Sequence, residues 1–266
     1  PLAFVIDSGN TNEQVTLKPL EKQIIKDFEL SKFVVCTDAG LASRENRIFN
    51  NIQNRSFIVT QSFKKIKEHL KDWTLSKGGW HKINSNKLIN LNDIDNSSSN
   101  EEIYYKERWI NENNLSQRLI VSYSPKYAAY QKKIRTNQIE RAQKLIDNPT
   151  SISKNRQNDP KRLIKSSSVT NDGEIADKKV FSLNQSAIDK EAIFDGFYAV
   201  CTTLDDDISE IIKVNKRMWE IEESFRILKS DFKARPVYLK RDDRIKAHFT
   251  TCLLYTSDAA DDRISV

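Results

Sequence analysis

The chain of 266 residues carries 43 Lys and Arg against 37 Asp and Glu, a net charge of +6, and 30% of its residues are charged. It reads as having neither a membrane span, since no apolar run approaches the roughly 18–20 residues one needs, nor a signal peptide, since no basic segment precedes an apolar one at its start. The positive balance fits a polyanionic partner, the length fits one large domain or two ordinary ones, and Cys36, Cys201 and Cys252, without metal spacing, fit a reducing, cytoplasmic setting.

In chain order, the first strong element is Phe33-Val34-Val35-Cys36-Thr37-Asp38, a short β-branched strand ending in a carboxylate. Gly40 follows as a turn residue, and 45–53 reads as a helix. An Asp at the C-terminal end of a strand, ahead of a strand-to-helix turn, stands where α/β sheets hold ligands. The same residue equally suits turn capping. Residues 55–61 read as another strand, followed by a helix to Lys71.

From Asp72 to Lys190 the sequence becomes polar and rich in Asn and Ser, with short strand candidates at 102–105, 118–123 and 179–182. An embedded helix is predicted over 126–148. It carries Lys126, Lys132, Lys133, Arg135 and Arg141, interleaved with Tyr127 and Tyr130 and preceded by Tyr123, a pattern suited to phosphate neutralisation and base stacking. Lys154, Arg156, Lys161, Arg162 and Lys165 form a second basic cluster. Either cluster also fits a solvated surface. His69, His81 and His248 show no spacing for zinc or for a nucleophilic triad.

Residues 194–203 read as a strand, and 205–232 as one long helix. Met218, Ile221, Phe225, Leu228 and Phe232 recur at three- and four-residue steps, predicting an apolar, core-packed stripe. Glu222, Arg226 and Lys229 share a second face. On spacing alone that face suits metal and phosphate chemistry or an ordinary exposed ion pair.

Trp219-x-Ile221-Glu222-x-x-Phe225-Arg226-x-Leu228-Lys229 resembles the C-terminal motif of insertion-sequence transposases of the DDE class. The likeness is to the "insertion sequence four" branch, whose pattern is Tyr-x2-Arg-x3-Glu-x6-Lys. In that register Glu222 takes the Glu and Lys229 the Lys, while Met218 and Asn215 stand where the branch has Arg and Tyr. Gly9-Asn10-Thr11-Asn12-Glu13 resembles the family's Gly-Asn-x-x-Glu segment, and Asp38 matches the second Asp of the catalytic triad.

The resemblance implies an α/β fold: a ribonuclease-H-like core over 1–71 and 191–251, interrupted by a β-rich insertion domain over 72–190. It implies two-metal cleavage of phosphodiesters at transposon ends and strand transfer to target DNA, with Mg²⁺ (Mn²⁺ possible) held by Asp38 and Glu222. Lys229, Arg226, Lys132, Lys133 and Arg135 are the candidate DNA contacts. The full-length parent would be a homodimer acting at the nucleoid. The family's first Asp lies on an opening strand upstream of anything matched here, and Asp7 reads as a loop residue. The chain therefore reads as a fragment, inactive by itself; the alternative is a non-catalytic DNA-binding remnant. Residues 252–266, with Asp258-Ala259-Ala260-Asp261-Asp262, resemble a translated sequencing-adapter artefact and are expected to lack defined structure.

Overall fold

The computed structural model describes residues 3–83, 85, 87–112, 114–148, 159–169, 175–218, 221, 225–227, 230, 234 and 237–264, without the side chains of 169, 175–179 and 256–264. Nine strands are described: β1 (Phe33–Thr37), β2 (Arg55–Thr60), β3 (Trp80–Lys82), β4 (Leu88–Ile89), β5 (Tyr104–Glu112), β6 (Leu115–Tyr123), β7 (Ile164–Val169), β8 (Ile175–Leu183) and β9 (Phe197–Thr202). The helices are α1 (Glu13–Asp27), α2 (Arg44–Phe49), α3 (Glu68–Leu75), α4 (Pro125–Asp147), α5 (Gln185–Ala192), α6 (Ile208–Lys216) and α7 (Asp242–Ile264).

One mixed sheet has the order β1-β2-β9-β6-β5-β3-β4, and β7 and β8 form a separate pair. β1 and β2 run parallel, with Val35 opposite Phe57 and Thr37 opposite Val59. β9 is antiparallel to β2, with Val59 opposite Cys201. The consecutive buried run Phe57-Ile58-Val59 marks a strand covered on both faces.

The chain divides into two compact units. The first comprises Pro1–Lys65, Glu107–Ile120 and Ala199–Val266; the second comprises Ile66–Lys106 and Val121–Tyr198. The boundaries cut through β5, β6 and β9, and Glu107–Ile120, from the middle of the segment expected as an insertion, groups with the first unit. In the first unit α6 buries Ile208, Ile211 and Ile212 and packs on β1 and β2. In the second, Trp80 packs on Tyr123 and Phe197 with ring centroids 6.4 and 5.8 Å away, and Ala142, Leu163 and Ile188 form a separate apolar cluster.

Three expectations are corrected. The helix over 205–232 is not continuous as assigned: α6 ends at Lys216, with Arg217 as its cap, and helical geometry resumes at Met218. The apolar stripe is not core-packed as predicted, because Ile221 and Phe225 are 54% and 50% exposed; Leu228 and Phe232 lie outside the described residues. The buried stripe belongs instead to Ile208, Ile211 and Ile212, nine or more residues ahead of Ile221, where the i, i+3, i+4 spacing is β-branched and denser. Finally, α7 is helical to Ile264 rather than irregular. No Gly or Pro interrupts 242–264, and Ala259-Ala260 are strong helix formers, so local propensity favours the helix.

Candidate active site

Asp38 directly follows β1, at the C-terminal end of the parallel β1–β2 pair, and is exposed. Its Oδ1 accepts from the backbone N–H of Gly40 at 2.9 Å and of Leu41 at 3.1 Å. The carboxylate thus closes the turn into α2, the capping role its sequence position allowed. Gly40 lies so near that a Cβ there would sit 3.2 and 3.3 Å from the two Asp38 oxygens.

The carbonyls of this loop are held by side chains that sequence reasoning did not single out. Gln14 Nε2 donates to Gly40 O at 2.8 Å, Asn46 Nδ2 to Leu41 O at 3.0 Å, and Arg47 Nε to Ala42 O at 3.2 Å. Ser43 caps α2 by accepting from Asn46 N. Asn46 and Arg47 are buried polar residues, 4% and 9% exposed. Arg47 also donates to Gln117 Oε1 at 2.9 Å and Gln61 Oε1 at 2.7 Å. The only sequence signal for this arrangement is Ser43 three residues before Asn46, which marks a helix start but not what it holds.

Asn215, on the last turn of α6, reaches the ends of both parallel strands. Its Nδ2 lies 3.4 Å from Thr60 Oγ1, 3.8 Å from Cys36 Sγ and 3.7 Å from Met218 Sδ. The residue is 2% exposed, and its Oδ1 has no partner among the described residues. Burial pushes the Cys36 thiol up, against the Asn215 contact. Burial likewise pushes Cys201 up to about 11, despite Arg47 nearby. Both sulfurs stay protonated near neutral pH and offer no thiolate.

Glu222 and Lys229 lie outside the described residues. Arg226 is helical and exposed. In the second unit, Lys132 and Lys133 are exposed on α4, while Arg135 is ion-paired with Asp195. Tyr127 and Tyr130 stack on the surface of α4, with centroids 6.2 Å apart and planes at 22°. Of the second basic cluster, Lys154 and Arg156 lie outside the described residues. Arg162 forks onto Glu191 at 2.9 Å and onto Gln138 at 2.6 Å.

Among the described residues, no three His, Cys, Asp or Glu gather into a metal cluster. The donor chemistry of Asp38 nonetheless fits a hard divalent cation: an exposed carboxylate with one oxygen fixed by backbone N–H groups and no hydrogen bond at Oδ2 among the described residues.

A mixed sheet with helices packed on it, and a carboxylate at the C-terminal end of a parallel strand pair, defines an α/β domain of the kind that holds its ligands beyond the strand ends. The chain belongs to the transposase DDE domain family, whose profile matches residues 1–256. The fold accords with the ribonuclease-H-like architecture of that family. A search among curated proteins gives no match. As a DDE domain the chain is a transposase domain, of a family that acts on DNA and generally uses divalent metal ions. Among the described residues, no helix is long and apolar enough to cross a membrane.

Proposed function

We propose that Asp38 and Glu222 are two of the carboxylates through which this transposase domain cuts DNA at transposon ends and joins the 3′-ends to target DNA, in the manner of the "insertion sequence four" branch. The observation that carries this reading is the seat of Asn215. It touches Cys36, two residues before Asp38, and it precedes Glu222 by seven residues. The end of α6, seven residues ahead of Glu222 in sequence, therefore lies against the strand that leads into Asp38.

Mg²⁺, or Mn²⁺ in its place, supplies Lewis-acid activation of a water or a 3′-hydroxyl when bound. The chain's own contribution is to hold the cation and the DNA. Asp38 presents a carboxylate whose Oδ1 cannot swing, because Gly40 and Leu41 hold it. Arg226 and Lys229 contact phosphate near the cut, and Lys132 and Lys133 contact the backbone elsewhere on the duplex. Arg135 orients α4 through Asp195 and adds positive field rather than a free guanidinium. The parent acts as a homodimer, one protomer per transposon end.

A nicking assay on supercoiled DNA tests the proposal. The 266-residue chain alone does not cleave, because only two matched carboxylates stand in it. A parent extended upstream by the opening strand cleaves with Mg²⁺, and Asp38→Asn or Glu222→Gln abolishes cleavage while DNA binding persists. Full cleavage by either variant overturns the assignment. Binding without cleavage by the extended parent instead makes this a DNA-binding remnant.

A further inference from the structure

We propose that Gln14, Asn46 and Arg47 are positioning residues for Asp38, and that Gly40 is glycine because its missing side chain leaves the Asp38 carboxylate its room. The inference rests on the reading of Asp38 as a metal ligand and extends it to the residues that set the ligand's geometry.

Three consecutive carbonyls after Asp38 are each gripped by a different side chain: Gly40 O by Gln14, Leu41 O by Asn46 and Ala42 O by Arg47. The two N–H groups in the same stretch, of Gly40 and Leu41, point back to Asp38 Oδ1. The loop therefore has its acceptors anchored outward and its donors aimed inward at one carboxylate oxygen. Two of the anchors are tied at a second point. Asn46 Nδ2 also donates to Gln14 O at 3.1 Å, which joins α1 to α2, and Arg47 is fixed by Gln117 and Gln61. An exposed loop closing an ordinary turn needs no buried arginine and no buried asparagine to hold its carbonyls. This network fixes one carboxylate oxygen and leaves the other to a hard cation, whose ligands bind best when their own orientation is set by surrounding hydrogen bonds. The Gly40 contact adds a steric limit: any Cβ there presses on both Asp38 oxygens at once.

The test is paramagnetic broadening by Mn²⁺ of the amide resonances of the whole 266-residue chain. In the unsubstituted protein Mn²⁺ broadens the Gly40 and Leu41 amides selectively, and Asp38→Asn removes the effect. Gln14→Met removes one donor at a half-buried position, Asn46→Asp replaces a donor by an acceptor of the same shape, and Gly40→Ala touches only the carboxylate. Each raises the Mn²⁺ concentration for half-broadening by roughly ten-fold. Gln14→Met does so with its melting temperature and remaining spectrum unchanged, a result that a purely structural role for Gln14 does not produce. If Asp38→Asn or the unsubstituted chain shows that Mn²⁺ does not bind through Asp38, the ligand reading fails and takes this inference with it. If Asp38→Asn abolishes broadening but Gln14→Met and Gly40→Ala titrate like the unsubstituted chain, the ligand reading stands and the positioning inference is overturned. Should Asn46→Asp fail to fold, Gln14→Met and Gly40→Ala decide the matter.

Discussion

Asn215 lies against Cys36, its side-chain amide nitrogen 3.8 Å from the thiol sulfur, and its carbonyl oxygen is buried with no partner among the described residues. The contacts of the nitrogen are long, and two of the three are to sulfur, a weak acceptor. A buried acceptor left unsatisfied costs about 1–3 kcal/mol. Asn215→Leu, of similar size, is therefore expected to raise unfolding stability by about 1 kcal/mol in urea titration. A loss of that size instead means that the amide makes bonds worth keeping in the free protein.

Glu21 and Asn50 tie α1 to the end of α2. Asn50 Nδ2 donates to both carboxylate oxygens, at 3.0 and 2.9 Å, and Glu21 is 2% exposed. Burial raises the Glu21 pKa, against the Asn50 bond and the charges of Arg55 and Lys18. The folded state then holds this proton more tightly than the unfolded chain. Stability tied to Glu21 is greatest at low pH and falls as pH rises from the ordinary carboxylate range through the raised folded pKa. Glu21→Gln is expected to flatten this decline in melting temperature, since the Asn50 amide can turn its Oδ1, which has no partner among the described residues, toward the new N–H. Asn50→Ala leaves the carboxylate buried without its donor and is expected to cost about 2–3 kcal/mol at pH 7.

Lys106 behaves in the opposite sense. Its Nζ is enclosed by Ser76 O at 2.6 Å, Ser76 Oγ at 2.7 Å and Trp73 O at 3.2 Å, and lies 4.7 Å from the centre of the Trp80 ring. Burial, with Lys77 adding repulsion, pulls its pKa down to about 8 from the ordinary lysine value of 10.5. Between those values the unfolded chain binds more protons than the folded one, so the Lys106 contribution to stability rises with pH. Melting temperatures measured from pH 8 to 10 are expected to show this rise in the unsubstituted chain and to lose it in Lys106→Met. An identical slope in both proteins contradicts the assignment.

DNA affinity is expected to fall steeply with salt, because phosphate neutralisation releases counterions. Substituting Lys132 and Lys133 together by Gln is expected to reduce the slope of log affinity against log salt by about 2 if both touch phosphate. Arg135→Gln is expected to act differently. It breaks the ion pair with Asp195 and lowers the stability of the second unit more than it changes the slope. An unchanged slope in the double lysine variant assigns those residues to solvent.

Much of the first unit was legible in the sequence. The strand ending before Asp38, the buried strand 55–60 and the return strand 197–202 are short apolar runs bounded by turn residues, which periodicity reads well. The long α4 was equally legible, predicted over 126–148 and found as Pro125–Asp147. Asp38 was legible as a carboxylate at a strand end suited to turn capping, which its bonds to the Gly40 and Leu41 N–H groups bear out. Gln14, Asn46 and Arg47 were missed because a buried polar residue looks like a surface residue until its partners are known. Ile221 and Phe225 misled in the reverse way: their spacing promised a buried stripe, and both are exposed. Periodicity reports which residues share a face, not whether anything covers it.

Anomalous scattering from crystals of the chain soaked in Mn²⁺ tests the central claim most directly. The account predicts a manganese peak bound by the Asp38 carboxylate through Oδ2, with the Glu222 carboxylate as a second protein ligand and the Gly40 and Leu41 N–H groups still on Oδ1. Asp38 and Glu222 on opposite faces of the domain, or a peak that involves neither, would contradict it.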